Sequence, residues 1–527
     1  MHGLELPHLS LWQGRAPAWP NPICIACAVS IMESSQNNPS VLFLELNEAE
    51  KYFIDKLVAR GKLPVFSRLL TAGVCLETCI PGFQTDAQRA WRTITPWIIW
   101  PSVYTGMTPD EHGIIAFGQD TTRIQGRCLW DVLDKAGIST GVFGSLLSFP
   151  PRSAGSASYY VPESLADDAA CFPAEARPVQ EFSVFTARNY SESFSRQFFE
   201  GTRLLLNSMR SGVQAGTVLR TLLQIPAELF LGDAHVPKRA MLQSYILTDA
   251  FKRLYTRHRP SFASLHLNNV AYMQHRYWRA AEPNRFRDEL SLTDHRFFDT
   301  VSERNAYERR FADWIERSLI WTDRLLGELL ELIDDNTILV IGTALGQKPH
   351  DPVHEIHNPV VRLVREGELL TALGYPGVKI LTQMNPDVSI NLPDETTAEQ
   401  TADVLRGLYV HPGKGLFEVE RRGRQVFLEL IMPQRLKGET LPPIRHTTLP
   451  DFQAPFERHV HEHSTNDQST AQHQEPGLLL AFSQGRRLEL VRQKISVTDI
   501  APTVLSWFGI PPQPWMNGMG TPAIKVS

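Results

Sequence analysis

The sequence predicts an α/β protein: a mostly parallel sheet sandwiched by helices, interrupted by a helical insertion and a small α+β insertion. Two observations carry this. Short, nearly continuous apolar runs, Val41–Leu46, Thr337–Gly342 and Gly477–Phe482, have the composition of strands buried on both faces. Segments of helical periodicity separate them, and strands joined by long helical crossovers run parallel.

In chain order, residues 1–40 are expected to be an extension outside the core. The apolar stretch Pro22–Met32 resembles a signal-peptide core, but Arg15 is the single basic residue of a long leader, a poor match to that role. Met32 instead opens a polar start that leads straight into the first strand. Core segments are expected at 41–150, 261–346 and 470–527. The first holds the strand Val41–Leu46, a helix through Phe53, Leu57, Leu63 and Phe66 to Leu70, a loop to about Gln88, a helix around Trp97–Gly106, a helix Trp130–Ala136 and a strand Thr140–Phe143. Residues 151–260 read as a helical cap, with amphipathic stretches Phe194–Met209, Val213–Leu223 and Lys238–Arg257. Ser261–Leu267 returns to strand, and Glu308–Leu332 reads as one long helix. Residues 347–469 form the α+β insertion, with Gln425–Pro433 its clearest strand, and Asp451–Glu475 reads as a His-rich surface loop.

Composition narrows the function classes. With 527 residues, 43% hydrophobic and 21% charged, the chain has the balance of an ordinary globular protein. Net charge is −5 and both signs are mixed along the chain, with no basic block or aromatic-basic stripe for nucleic acid or an anionic surface. No stretch reaches the roughly 20 apolar residues of a membrane span. The six cysteines, Cys24, Cys27, Cys75, Cys79, Cys128 and Cys171, all lie in the first third, which excludes a disulfide framework for the whole fold. Reduced thiols and a cytoplasmic location are the simplest expectation.

The C-terminal run SVTDIAPTVLSWFGIPPQPWMNGMGTP, Ser496–Pro522, closely resembles the C-terminal signature of the alkaline phosphatase superfamily, especially its type I phosphodiesterase/nucleotide pyrophosphatase and sulfatase-like branches. Tyr104-Thr105-Gly106, Pro109 and His112-Gly113-Ile114 look like that family's Thr-Gly…Pro…His-Gly-Ile element. The resemblance implies metal-assisted attack on a phosphoryl or sulfuryl centre by a Thr or Ser at a helix start, where the helix N-terminus favours anionic charge. Counting back puts that register on Pro96, so the neighbouring Thr95 is the candidate nucleophile; a plain helix N-cap is its alternative role.

The metal ligands implied by the resemblance are partly replaced. Asn47 stands in the register of the first-strand Asp, flanked by Glu45 and Glu48. His275 matches the histidine of an Asp-x-x-x-His pair whose Asp register holds Ala271. Ala344 and Leu345 occupy the Asp-His pair after the strand Thr337–Gly342, and His473 matches the final metal histidine. A two-metal clamp is therefore not expected. One divalent transition metal, Zn or Mn, held by His275 and His473 with a third ligand from Glu45, Glu48 or Tyr272 and assistance from Asn47, is expected instead. His350, His354 and His357 with Asp351 offer either a replacement ligand set or an exposed loop. The function implied is a divergent hydrolase of a small phosphate or sulfate ester. The alternative is an inactive member that binds a phosphorylated or sulfated ligand or a protein partner; oligomeric state stays open.

Overall fold

Among the described residues eight strands form the central sheet, and seven of them run the same way. The computed structural model describes residues 38–81, 94–114, 121–188, 194–286, 300–349, 361–363, 365–381, 388–431, 440–462, 469–519 and 522–527. Strands β1 (Ser40–Leu46), β2 (Val74–Cys79), β3 (Thr140–Phe143), β4 (Ala157–Val161), β5 (Phe262–Leu267) and β6 (Thr337–Gly342) are joined by Gly477–Ser483 and Lys494–Ser496. Their order is Lys494–Ser496, β2, Gly477–Ser483, β6, β1, β5, β3, β4, and Gly477–Ser483 alone is antiparallel to its neighbours. The central strand β1 lies between β5 and β6, with Glu45 opposite both His266 and Gly342, so three carboxyl ends finish together. Ligands of open parallel sheets bind beyond such ends.

Apolar side chains cover both faces of the sheet. Leu42, Leu44 and Leu46 pack beneath helices Lys51–Ala59, Pro64–Ala72, Lys238–His258, Asn269–Ala281 and Trp314–Leu330. Val41 and Phe43 point the other way, into a core shared with helices Pro96–Thr105, Leu129–Lys135 and Ile500–Trp507. This alternation is the two-residue period of a strand. A separate apolar core, including Ile390, Leu405 and Leu428, holds the short strands and helices between Leu363 and Val460. The helices of 177–258 share the first core through Val179, Leu205 and Phe251.

Several elements differ from the sequence reading. The stretch Phe53–Leu70 is two helices, because Gly61 turns the chain at φ +68° and Pro64 starts the second helix without needing an amide proton. Glu308–Leu332 likewise falls on two, Val301–Phe311 and Trp314–Leu330, with the break at Ala312–Asp313 and the buried apolar face almost entirely on the second. Strand β2 lies where a loop was expected; its outer partner Lys494–Ser496 satisfies its edge. Within the expected surface loop Asp451–Glu475, residues Ala471–Gln474 form a strand paired with β7 (Gly346–Pro349). Its polar side chains gave no apolar alternation to read. The extension before Asn38 and the histidines of 350–357 lie outside the described residues.

Candidate functional site

The end of β1 sends three polar side chains to different partners. Glu45 is fully buried on the helix Pro96–Thr105 side; its carboxylate accepts from Tyr104 Oη (2.6 Å) and Ser145 Oγ (2.6 Å), and His266 Nδ1 lies 3.1 Å away. Asn47 is also spent on protein. Its Oδ1 accepts from Trp100 Nε1 (2.8 Å), while its Nδ2 donates to Asn268 Oδ1 (2.8 Å) and Glu48 Oε1 (2.9 Å). Glu48 then adopts φ +53°, uncommon for a residue with a Cβ, and its amide donates to the Thr343 carbonyl at the end of β6 (3.1 Å). That turn aims Glu48 away from Glu45 and toward two histidines.

Glu48, His275 and His473 form the one cluster among the described residues whose carboxylate and imidazole atoms lie close enough to share a metal ion, all within 4.8 Å of one another. Glu48 Oε2 is 2.9 Å from His275 Nε2 and 3.2 Å from His473 Nε2, and the two rings stand edge-on with centroids 5.0 Å apart. Each member is placed by a separate element. His275 rides on helix Asn269–Ala281, which starts directly after β5 and is pinned by Gln274, whose Nε2 donates to the Glu48 carbonyl (2.8 Å) and whose Oε1 accepts from the Glu50 amide (3.0 Å). His473 sits in the strand paired with β7, opposite Gln347. The Gln347 side chain is itself fully buried and donates to Glu48 Oε2.

Burial alone would push the Glu48 carboxyl up, but His473 and His275 outweigh it and hold the group well below the usual carboxylate range. The hydrogen bonding of His275 sharpens the chemistry. Its Nδ1 faces the Ala471 carbonyl (3.1 Å) and Ser469 Oγ (3.1 Å), and a carbonyl can only accept, so Nδ1 carries the proton. A neutral ring then presents the Nε2 lone pair to a carboxylate oxygen 2.9 Å away, and two lone pairs at that distance require a cation between them: a second proton or a metal ion. A carbonyl behind the outer ring nitrogen is also the usual setting of a metal-binding histidine. The donor set therefore fits a divalent transition metal.

The other expected site residues occupy different surroundings. Thr95 immediately precedes helix Pro96–Thr105, yet makes no capping bond, and its Oγ1 is buried without a partner among the described residues. The plain N-cap role is thus not the one its hydroxyl performs. Ala344 and Leu345 are buried in the second apolar core, Ala344 at φ +61°. The turn after β6 persists while its side chains bring no ligand. The two segments that carry the resemblance meet: the Asn517 amide donates to the Gly106 carbonyl (2.7 Å), and its side chain joins Thr108 (3.1 Å) to Glu111 (2.7 Å). Together they clasp the C-terminal end of helix Pro96–Thr105. Gln274, Gln347 and Ser469 are absent from the sequence reading. Neutral amides and hydroxyls at strand and helix ends carry no spacing signal; only proximity to Glu48 and His275 reveals them.

The fold resembles phosphonoacetate hydrolase from Sinorhizobium meliloti 1021 (16% identity, TM-score 0.36, covering 90% of this chain and 96% of that one). It also resembles human ectonucleotide pyrophosphatase/phosphodiesterase 5 (12% identity, TM-score 0.36, covering 91% and 97%). No curated protein matches the chain. The model of the type I phosphodiesterase / nucleotide pyrophosphatase family matches residues 50–469, leaving Glu48 and His473 just outside its ends. That match spans most of the 527 residues, and the chain belongs to the type I phosphodiesterase / nucleotide pyrophosphatase family.

Proposed function

We propose that this protein hydrolyses a small phosphate ester with one divalent cation held by Glu48, His275 and His473 and with Thr95 as nucleophile. The observation that carries the reading is the convergence of one buried carboxylate and two imidazole nitrogens at the strand ends, with the far nitrogen of His275 facing the Ala471 carbonyl. Such an ion, when bound, supplies Lewis-acid stabilisation of charge on the phosphoryl oxygens. The chain's own residues supply the rest. Glu48 brings the negative charge, Gln347 and Asn47 orient it, and Ser469 with the Ala471 carbonyl fixes the His275 tautomer. The unpartnered Thr95 hydroxyl, at the N-terminus of a ten-residue helix, sits where the helix dipole favours an alkoxide. Attack on phosphorus would form the Thr95 Oγ1–P bond and break the bond to the ester oxygen, which leaves with the Thr95 proton; water would then add its hydroxyl to phosphorus and return a proton to Thr95 Oγ1, releasing the phosphate product.

One observation favours the second reading, a binder without turnover: Leu345 is wholly buried in the core, so nothing there replaces a second cation. Metal analysis of purified protein together with turnover of an aryl phosphodiester decides between them. One equivalent of Zn or Mn, and hydrolysis lost in Thr95→Ala and His275→Ala, is the expected result. Bound metal with no turnover and tight binding of a phosphorylated ligand favours the binder. Absence of metal together with turnover unaffected by Thr95→Ala refutes both assignments. A cytoplasmic location belongs to the same reading, supported by Cys75, Cys79, Cys128 and Cys171, all free thiols.

A further inference from the structure

Seven of the 13 large apolar side chains exposed among the described residues lie between Phe198 and Phe230. They sit on two successive helices, Phe194–Ser208 and Ala215–Leu231, and on the short turn between them. The inner faces of both helices already have a partner, since Leu204, Leu205 and Val218 are part of the core beneath the sheet. The outer faces are a second apolar surface. On the second helix Leu219, Leu223 and Phe230 fall within an arc of about 40° at 3.6 residues per turn, one stripe roughly 16 Å long. Phe230 is 85% exposed and Leu223 57%. On the first helix Phe199, 75% exposed, and Leu206 share a face seven residues apart. At about 200 Å² per large side chain the seven together expose about 800 Å² of apolar surface, and the stripe of Leu219, Leu223 and Phe230 alone about 400 Å², the size of the largest, often functional, patch of a typical monomer.

Charge says what covers it. Both acidic residues of these helices are neutralised: Glu200 pairs with Arg203, and Glu228 with Arg239. Arg210 and Arg220 are exposed beside the stripes and have no acidic partner among the described residues. A second copy meeting this face across a two-fold axis would bring unpaired arginines against an apolar surface with no acid to receive them. An anionic lipid surface supplies both what the phenylalanines and leucines need and what the arginines need. We infer that the outer face of helices Phe194–Ser208 and Ala215–Leu231 is a peripheral docking site for an anionic membrane leaflet. The protein lies on that surface rather than through it, as no helix of the described residues is long and apolar enough to cross a bilayer.

Vesicle flotation of the full chain tests this. Wild-type protein should float with phosphatidylcholine vesicles containing phosphatidylserine and stay behind with phosphatidylcholine alone, and high salt should weaken the binding. Leu223→Ser with Phe230→Ser should abolish flotation at an unchanged thermal midpoint, because both side chains are solvent-exposed. Arg210→Glu with Arg220→Glu should cut binding to the anionic vesicles by about 30-fold or more, from about 1 kcal/mol per basic residue at such a surface. No flotation of the wild type, or flotation of both variants equal to that of the wild type, overturns the inference. So does a concentration-dependent dimer in sedimentation that Leu223→Ser with Phe230→Ser converts to monomer, since the face would then belong to a second copy.

Discussion

Glu48→Gln separates a metal centre from a mere ion pair, because the two give different stability ledgers. In metal-free protein Glu48 Oε2 serves His275, His473 and Gln347 at once, and Oε1 accepts from Asn47. Removing one partner of a fully buried pair costs about 3–5 kcal/mol. Here the imidazole side chains are 27% and 22% exposed, so water can solvate them once the carboxylate is gone. The cost falls toward that of a charged hydrogen bond, about 2 kcal/mol. If the cluster holds a cation, a metal concentration 100-fold above the dissociation constant adds about 2.7 kcal/mol to the wild type and nothing to the variant. Urea unfolding with EDTA should then show a gap of about 2 kcal/mol between the two proteins, and with excess Zn²⁺ a gap of about 5 kcal/mol. A variant that keeps the full Zn²⁺ increment would show that the metal binds elsewhere and that the three residues form only a structural ion pair.

Three further outcomes follow from named contacts. On the proposed nucleophile role, Thr95→Ala should lower turnover at least about 10³-fold, yet cost no more than about 0.5 kcal/mol in urea unfolding, since the hydroxyl makes no hydrogen bond among the described residues. Stability should fall as pH drops from about 6.5 to about 4: burial lowers the pKa of His112 from 6.5 to about 4, so across that window the unfolded chain binds a proton that the folded chain refuses. The loss approaches about 3 kcal/mol at the acid end, and urea titrations of His112→Gln should show a flatter pH dependence in the same window. Ala344→Gly should stabilise the fold by up to about 1 kcal/mol in thermal unfolding, because a methyl group at φ +61° is strained where glycine is not; a destabilised variant would show that the buried methyl outweighs the strain.

The sheet was legible because its strands are apolar on both faces: β1, β5, β6 and Gly477–Ser483 all lie where apolar runs place them. Strand β2 was not, because VCLETC alternates too weakly and its outer partner comes more than four hundred residues later. His275 and His473 were readable through the family resemblance of their segments, and their rings lie edge-on, 5.0 Å apart. The choice among Glu45, Asn47 and Glu48 was not. Strand alternation puts Glu45 and Asn47 on one face, where Tyr104 and Trp100 wait for them, and residue 48 on the face of Leu44 and Leu46, toward the helix that carries His275. What residue spacing does not show is that distant groups, Tyr104 and Ser145 for Glu45 and Trp100 and Asn268 for Asn47, take up the other two side chains.

The backbone at these strand ends shows how the site keeps its shape with no ligand at Ala344 or Leu345. The turns after β1 and β6 are tied by the Glu48 amide to the Thr343 carbonyl, and each holds a residue with positive φ, Glu48 and Ala344. Backbone strain of this kind costs about 1–3 kcal/mol per residue and persists only where the surroundings enforce it. Around Ala344 they do: Thr343 Oγ1 accepts from the Leu478 amide, its amide donates to the Leu478 carbonyl, and a Cβ on Gly477 would meet the Ala344 carbonyl oxygen at 2.5 Å. The turn is built from contacts with the neighbouring strand and owes nothing to a ligand side chain. Ala344 and Leu345, where the family resemblance implies an acid and an imidazole, therefore need no ligand to hold the turn, and burying Leu345 adds about 1.5–3 kcal/mol of apolar stabilisation. Glu48 has no such substitute. Its carboxylate is the shared acceptor of His275, His473 and Gln347, so the β1 turn keeps its charge for the same physical reason that the β6 turn could give up its own.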